Sequence, residues 1–148
     1  MNTQFTIRPA TRADTFAILG MIRELAEFEK LEHLMAANET SLAEELFGPR
    51  SPAEALIGEH QGAPVAFAVY FHNFSTFLGR KGLYLEDLYV KPDFRRRGFG
   101  RALLLHIARI AADRNCGRFE WSVLDWNENA IRFYEKLGGV LMHEWKLV

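Results

Sequence analysis

The sequence predicts an α/β protein in which a mixed β-sheet carries helices on both faces. Three observations lead to this prediction: a helical apolar stripe near the N-terminus, three consecutive strand-like segments in the middle, and a helix–strand–helix order after them. Consecutive strands fold as an antiparallel meander, whereas a strand–helix–strand order requires a parallel crossover. At 148 residues, without an internal repeat or a linker, the chain is expected to form a single domain over residues 1–148.

Apolar periodicity and turn-forming residues divide the chain into elements. A helix is assigned where apolar residues recur at three- and four-residue spacing, and a strand where β-formers run between turn residues. The predicted strands are 5–8, 53–59, 63–72, 82–91, 117–124 and one or two within 140–148. The predicted helices run from the capping pattern Thr11-x-x-Asp14 to about Glu29, from Ser41 to Phe47, from the glycines near residue 100 to Asn115, and from Glu128 to Leu137.

The composition excludes several classes of protein. Apolar residues make up 49% and charged residues 25% of the chain, which is typical of a globular domain. A net charge of -1 argues against a general nucleic-acid-binding protein. The sequence shows no apolar segment of membrane-spanning length and no signal-peptide pattern at its start, so we expect a cytoplasmic protein without membrane contact.

The chain has a single cysteine, Cys116, and therefore cannot form an intrachain disulfide. This agrees with the reducing environment of the cytoplasm. The sequence suggests no histidine partner near Cys116. It is therefore interpreted as a small residue beside a strand, with a nucleophilic role as the alternative.

Charge is distributed unevenly along the chain. Residues 21–59 carry nine glutamates against three Lys/Arg residues, whereas residues 91–101 carry five Lys/Arg residues against one aspartate. A solvated helix face explains the acidic run as well as a cationic ligand does. The basic run is more specific, because it coincides with a turn into a helix.

The segment Val90–Arg101 combines a strand end, a proline, a basic loop and Gly98-x-Gly100 before an amphipathic helix. Free N–H groups and the helix dipole favour an anion there, and the glycines let a bulky anion approach the backbone. The pattern is therefore typical of a pyrophosphate site. Leu103 replaces the third glycine of a Rossmann fingerprint, and no P-loop lysine follows. A solvated basic turn and a nucleic-acid contact are the alternatives.

The segment around Gly98-x-Gly100 resembles a motif of a known family. Arg95-x-x-Gly98-x-Gly100 after the strand "LYLEDLYV" resembles the acetyl-CoA motif of the GNAT superfamily of N-acetyltransferases, and "LDWNENAIRFYEKLGG" (124–139) is similar to its second motif. Within that superfamily, "IRELAEFEKLE" (22–32) and "YLEDLYV" (84–90) resemble the diamine, or spermidine/spermine, acetyltransferases. The resemblance extends from Ile7 to Trp145. It implies the GNAT fold, a mostly antiparallel mixed sheet with one splayed parallel strand pair.

The resemblance also implies the donor and its site. Acetyl-CoA would be the co-substrate, with no metal involved. Pantetheine would pair with the backbone of Leu88, Tyr89 and Val90, as an added strand does. The pyrophosphate would lie on the backbone amides of residues 96–101, with the arginine side chains of this loop assisting, and Asn127 would contact the cofactor as well. The residues of the loop are Arg95, Arg96, Arg97, Gly98, Phe99, Gly100 and Arg101.

The strand "YLEDLYV" supplies the candidate base. Strand alternation places Glu86 on one face with Tyr84, Leu88 and Val90, and Asp87 on the other with Leu85 and Tyr89. A charged residue flanked by apolar ones is either a salt-bridged structural residue or a functional one. Because an alkyl ammonium has a pKa near 10.4, an acceptor amine must lose a proton before it attacks. The resemblance assigns that base role to Glu86.

The resemblance assigns three further acceptor residues and a general acid. Phe28 and Glu29, at the end of the first long helix, and Asp87 would belong to the binding site of the cationic acceptor together with Glu86. Asp87, on the opposite face of the strand, would shape that site or contact a neighbouring subunit. Tyr134 lies on a helix stripe with Asn127 and would otherwise be interpreted as a core residue. Its counterpart protonates the departing CoA thiolate, which implies direct acetyl transfer without a covalent enzyme intermediate.

Two departures from the family bear on the acceptor and the assembly. Ser75 stands where the polyamine branch has an acidic residue, and the loop "HNFSTFLGR" is closer to the thialysine N-ε-acetyltransferase branch. We therefore expect a small cationic primary amine, either thialysine- or lysine-like or a diamine or polyamine. The chain also stops at Val148, earlier than relatives do, so its last strand is either trimmed or completed in a homodimer, the usual assembly of relatives.

The runner-up interpretation is a catalytically weak acyl-CoA-binding regulatory module on the same fold. The presence of both Glu86 and Tyr134 favours the enzyme.

Overall fold

The computed structural model describes residues 4–148 of the chain. Nine regular elements follow one another, with short 3₁₀ turns at Arg12–Asp14, Glu32–Leu34 and Pro92–Phe94. The strands are β1 Phe5–Pro9, β2 Glu54–His60, β3 Ala63–Ser75, β4 Arg80–Val90 and β5 Phe119–Trp121. The helices are α1 Thr15–Glu29, α2 Glu39–Phe47, α3 Phe99–Asp113 and α4 Glu128–Lys136.

The strands form one five-stranded sheet in the order β1-β2-β3-β4-β5. The first three strand pairs are antiparallel, and β4 and β5 are parallel because α3 crosses between them. The predicted mixed, mostly antiparallel sheet with one parallel pair is therefore confirmed.

Each face of the sheet carries its own apolar core, as the prediction of helices on both faces requires. On one face Leu103 and Ile107 of α3 pack with Leu83 of β4. On the other, Ile18 of α1 packs with Phe67 of β3. Burial of these side chains, each worth about 1.5–3 kcal/mol, fixes the sheet between the two helical layers.

Side-chain caps set where the first two helices begin. The Asp14 carboxylate accepts a hydrogen bond of 2.7 Å from the Thr11 backbone N–H, so the predicted pattern closes a 3₁₀ turn and α1 starts at Thr15. At α2, Asn38 Oδ1 accepts from the Ser41 N–H at 2.9 Å and Ser41 Oγ accepts from the Asn38 N–H at 3.1 Å. Ser41 thus lies in the first turn of α2, and the helix begins two residues before the predicted position.

The end of the chain differs from the prediction. Residues 140–148 form no strand, and β5 covers only Phe119–Trp121 of the predicted 117–124. A strand needs a hydrogen-bonded neighbour, and β5 is the edge of the sheet and pairs only with β4. Trp145 and Leu147 therefore remain exposed. Within residues 4–148 no helix has the length and apolarity needed to cross a bilayer.

Candidate active site

A β-bulge in β4 shapes the site. Val69 of β3 pairs with Asp87 and Tyr70 pairs with Leu85, so Glu86 has no partner across the ladder. Leu85 and Leu88 consequently both reach the core on the α3 side. The strict alternation predicted for this strand is wrong across the bulge, because one extra residue reverses the phase of the strand. Glu86 is left exposed and Asp87 is half-buried.

Beyond the bulge, β4 and β5 separate. Their ladder holds only the pairs from Leu83–Phe119 to Leu85–Trp121, while β4 continues to Val90 paired with β3 but not with β5. The gap opens a cleft with a volume of about 500 Å³. The cleft is lined by Leu25, Phe28, Glu29, Leu85, Glu86, Asp87, Leu88, Tyr89, Val90, Phe94, Arg95, Arg96, Gly98, Phe99, Gly100, Arg101, Trp121, Ser122, Val123, Asn127, Asn129, Ala130, Phe133 and Tyr134. Every site residue predicted from the sequence is among them except Arg97.

One end of the cleft is the N-terminus of α3. Arg96 and Gly98 have positive φ angles of 61° and 80°, and the turn they make places the start of the helix at the cleft. Within the described chain, no backbone N–H of residues 96–101 donates a hydrogen bond to another backbone group. These amides form a row of donors without main-chain partners, which is the arrangement that binds a phosphate group.

Gly100 shows that this end has room for a ligand. A Cβ built there would lie 3.8 Å from Val90 Cγ2 and 4.0 Å from Leu88 Cδ2, which is ordinary van der Waals contact. Neither the helix nor its neighbours require a glycine at this position. The space without a Cβ instead faces the cleft, so an acyl-CoA pyrophosphate fits the residues that are present.

The arginine side chains of this loop have different surroundings. Arg95 Nε donates a hydrogen bond of 2.8 Å to the Val90 carbonyl, and its guanidinium lies over the rings of Phe28 and Tyr89 at 5.4 and 5.3 Å. Arg97 instead bonds the Asp93 carbonyl at 3.3 Å and lies outside the cleft. The loop arginines therefore do not act as a uniform cluster of charges.

The other end of the cleft is acidic, with Glu29, Glu86 and Asp87 in its wall. Burial, with smaller contributions from the charges of Glu86 and Glu29, raises the pKa of Asp87 to about 6. Burial also raises the pKa of Glu29. Three carboxyl side chains in one wall make this end of the cleft favourable for a positively charged group.

Tyr134 and Asn127 of the α4 region complete the cleft. The Tyr134 ring packs edge-on against Trp121 at 5.1 Å. Burial, and secondly the charge of Glu29, raises the pKa of its hydroxyl, which keeps the group protonated and able to donate. Asn127 Oδ1 accepts a hydrogen bond of 3.3 Å from the Ala130 N–H and so caps α4. Asn127 also lines the cleft, and its side-chain NH₂ group is a hydrogen-bond donor.

Two sequence-based expectations concern residues outside the cleft. Ser75 is buried in the β3–β4 hairpin, where its hydroxyl accepts from the Leu78 N–H at 3.2 Å. Cys116 does have a histidine nearby, because its sulfur lies 3.8 Å from His72 Nδ1. That nitrogen donates to the Gly82 carbonyl at 3.0 Å while Nε2 accepts from Arg114 at 3.0 Å, so both ring nitrogens of His72 are engaged by other partners. The geometry supports the structural interpretation of Cys116.

Sequence reasoning missed the apolar wall of the cleft and two polar residues, Ser122 and Asn129. The wall residues Trp121 and Phe133 read as ordinary core positions, and only the splay of the strands exposes them to a ligand. The sequence feature that could have identified Asn129 as a site residue is its position two residues after Asn127, at the start of the predicted helix.

Comparison with known proteins agrees with this geometry. Residues 19–139 match the acetyltransferase (GNAT) family. The chain is 39% identical over 140 residues to a thialysine N-epsilon-acetyltransferase of Sus scrofa, covering 89% of this chain and 82% of that protein. It is 32% identical over 186 residues to the L-ornithine N5-acetyltransferase NATA1 of Arabidopsis thaliana, covering 95% and 82%. An integron cassette protein of V. cholerae superposes with a TM-score of 0.82 at 25% identity, covering 99% and 91%.

A sheet splayed at one parallel pair, with free amides at one end of the gap and a protonated tyrosine beside it, defines an acyltransferase of this fold. The chain belongs to the acetyltransferase (GNAT) family and is an N-acetyltransferase that acts on amines.

Proposed function

We propose that the protein transfers the acetyl group of acetyl-CoA directly to a primary amine of a small cationic metabolite, thialysine- or lysine-like or a diamine. The observation that carries the proposal is the single cleft that has unpaired amides at one end and Glu29, Glu86 and Asp87 at the other. A negatively charged donor and a positively charged acceptor are thereby drawn to opposite ends of one cavity.

The donor end would hold the pyrophosphate on the amides of residues 96–101. The exposed part of β4 would hold pantetheine, since Leu88 to Val90 have no β5 partner and offer free backbone groups. Asn127 would add its amide donor. These contacts orient the thioester toward Tyr134 and account for the glycine at position 100, which leaves space for the phosphates.

At the acceptor end Glu86 would take the proton of the substrate ammonium, directly or through water. The freed nitrogen attacks the acetyl carbonyl carbon, the C–N bond forms, and the C–S bond breaks. Tyr134 then donates its proton to the departing thiolate, and the second proton that the acylated nitrogen loses restores the Tyr134 hydroxyl. Glu29 and Asp87 hold the positive charge of the acceptor close to Glu86. The regulatory-module alternative predicts binding of the donor without turnover.

The proposed class of acceptor is based on the substrates named for similar proteins and on the carboxylates in the cleft. One similar protein is named as spermidine/spermine N(1)-acetyltransferase-like, whereas two others are named for thialysine and L-ornithine, both amino acids with a side-chain amine. We extend that substrate class to this chain. We also propose one domain, a homodimer and a cytoplasmic location; exposed Phe77, Trp145 and Leu147 are apolar side chains that an interface would cover.

The test is turnover of acetyl-CoA with a panel of thialysine, L-lysine, L-ornithine, putrescine and spermidine. We expect Glu86→Gln to lower kcat about 100-fold while coenzyme A binding is retained. Glu45→Gln, on the exposed face of α2, is the matched control and should behave as the wild type. No turnover of any amine by the wild type would refute the acceptor assignment, and full turnover by Glu86→Gln would refute the role of Glu86.

A further inference from the structure

A side-chain hydrogen bond, which we call the clasp, joins Tyr84 of β4 to Ser122, the residue that follows β5. The two hydroxyl oxygens are 2.7 Å apart, and either hydroxyl can donate. In the parallel ladder Tyr84 is the partner of Glu120, two residues before Ser122. The last ladder pair is Leu85–Trp121, so the clasp holds the strands together one residue beyond it, where the cleft opens.

The clasp lies at the bulge that carries Glu86. If the parallel register continued by one residue, Glu86 would be opposite Ser122. Glu86 is instead the extra residue of the bulge and has no partner on β3. Ser122 lines the cleft, as Glu86 does. The parallel pair therefore separates at the position of the proposed base, and the clasp determines where that separation begins.

Packing against β3 fixes the Tyr84 side of the clasp. The Tyr84 ring packs against Phe71, its ladder partner on β3, with centroids 5.2 Å apart and ring planes tilted by 35°. Leu83 and Leu85 belong to the core on the α3 side, so the Tyr84 side chain between them lies on the opposite face of the sheet. The phenol is therefore held by β3 and β4, independently of Ser122.

The Ser122 side of the clasp is linked to the proposed general acid. Trp121, the preceding residue, packs on the α3-side core and holds the Tyr134 ring edge-on at 5.1 Å. After Trp121 the ladder with β4 ends and the chain enters the loop before α4. The clasp therefore restrains the end of β5, and with it the ring against which Tyr134 is placed.

We propose that Tyr84 and Ser122 are positioning residues of the transfer reaction: their hydrogen bond fixes the end of β5 and, through Trp121, holds the Tyr134 hydroxyl where the thiolate departs. They act through Tyr134 and do not touch the reacting atoms. This inference rests on the proposed function, because it concerns the geometry of the proposed acid. A displacement of about 1 Å at a reacting group can cost about 100-fold in rate, so one exposed hydrogen bond can control kcat with little effect on stability.

The experiment removes each hydroxyl in turn and measures steady-state kinetics with acetyl-CoA and with each of thialysine and L-ornithine. Ser122→Ala and Tyr84→Phe, which keeps the ring against Phe71, should each lower kcat about tenfold with unchanged KM values. Ser122→Thr, which keeps a hydroxyl, should recover most of the loss. The double variant should be no worse than either single variant, because both remove the same hydrogen bond.

Combination with Tyr134→Phe tests whether the clasp acts through Tyr134. Because Tyr134→Phe already removes the proton donor, Ser122→Ala should lower kcat by less than about twofold in that background. A further loss of the full size would show that the clasp serves another step and would overturn the inference. Ser51→Ala is the matched control, since it removes an exposed hydroxyl that bonds the Ala53 carbonyl outside the cleft, and its kinetic constants should equal those of the wild type.

Two measurements on the protein alone do not depend on turnover. In Ser122→Ala the backbone amides of residues 119–122 should exchange with solvent about fivefold faster, as loss of one exposed hydrogen bond predicts. The ring-proton NMR signals of Tyr134 should also shift, because the Trp121 ring beside them moves.

These measurements separate the inference from the proposed function. If both changes occur but the wild type acetylates no amine, the clasp positions Tyr134 and the proposed function is refuted. Unchanged exchange and unchanged Tyr134 signals would refute the clasp, whatever the activity. A raised KM of the amine with an unchanged kcat in Ser122→Ala would overturn the inference as well, because Ser122 would then be a contact of the acceptor.

Discussion

Arg95 Nε donates a hydrogen bond of 2.8 Å to the carbonyl oxygen of Val90, the last residue of β4. The same guanidinium lies between Phe28 at the end of α1 and Tyr89 of β4. Tyr89 in turn donates to Glu24 of α1 at 3.4 Å. One arginine thus joins the loop before α3, where we propose that the donor binds, to α1, which carries the proposed acceptor residues Phe28 and Glu29. The position of Arg95 near two glycines in the sequence does not reveal this link.

Replacement of Arg95 by alanine should therefore affect both substrates. Loss of the Val90 bond and of the two ring contacts frees the loop that precedes α3, so we expect the KM of acetyl-CoA and of the amine each to rise about tenfold. The measurement is steady-state kinetics with each substrate varied. Arg97→Ala, outside the cleft, is the control and should leave the amine KM unchanged. If Arg95→Ala raises the KM of acetyl-CoA but not that of the amine, Arg95 contacts the phosphates of the donor and has no influence on acceptor binding.

The glycine at position 100 allows a test of whether the donor end is shaped for a ligand. Gly100→Ala places a Cβ in ordinary contact with Val90 and Leu88, so the folded protein should be as stable or up to about 1 kcal/mol more stable. The KM of acetyl-CoA should nevertheless rise, because the added methyl group occupies space beside the amides. Thermal melts and kinetics check the two effects separately.

Gly20→Ala is the control for that prediction. Gly20 lies within α1, and no atom is within 4 Å of a Cβ built there. The substitution should stabilise the protein without changing the KM of acetyl-CoA. If Gly100→Ala also leaves that KM unchanged, the pyrophosphate does not approach position 100.

The hydroxyl of Tyr134 should contribute to kcat and not to binding. Tyr134→Phe keeps the edge-on contact with Trp121 but removes the proton donor, and we expect kcat to fall about 100-fold with unchanged KM values. Tyr70→Phe is the control, because Tyr70 is a buried tyrosine outside the cleft. A kcat within twofold of the wild type would exclude Tyr134 as the general acid.

Much of the fold was predictable because its signals are local. The helical stripe of α1 and the β-rich run of β4 determine both the type and the order of these elements. The bulge at Glu86 and the early end of β5 were not predictable from residue patterns, since both depend on which strands lie beside them. The residues of the cleft were named through the resemblance, but the separate roles of Arg95 and Arg97 and the burial of Asp87 depend on tertiary contacts.

Asp87 allows a prediction that links stability and pH. Its folded pKa of about 6 lies above the usual 3.8, so the ionised carboxylate destabilises the folded state fully above pH 6 and not at all below about pH 4. Asp87→Asn should therefore raise the free energy of unfolding by about 2 kcal/mol at pH 7.5, and the gain should vanish as the pH falls through 6 toward 4. Thermal melts at pH 7.5 and 4 measure it.

The same substitution tests the role in acceptor binding that we propose for Asp87. Loss of the negative charge removes one partner of the acceptor cation, so the KM of the amine should rise about tenfold at pH 7.5 while the KM of acetyl-CoA stays constant. In the wild type the amine KM should rise as the pH falls below 6, because Asp87 becomes protonated, and this dependence should be absent in Asp87→Asn. Asp113→Asn, at an exposed position of α3, is the control for both effects. An unaltered amine KM in a stabilised Asp87→Asn protein would mean that the burial of Asp87 serves the fold and that Glu29 and Glu86 alone receive the acceptor.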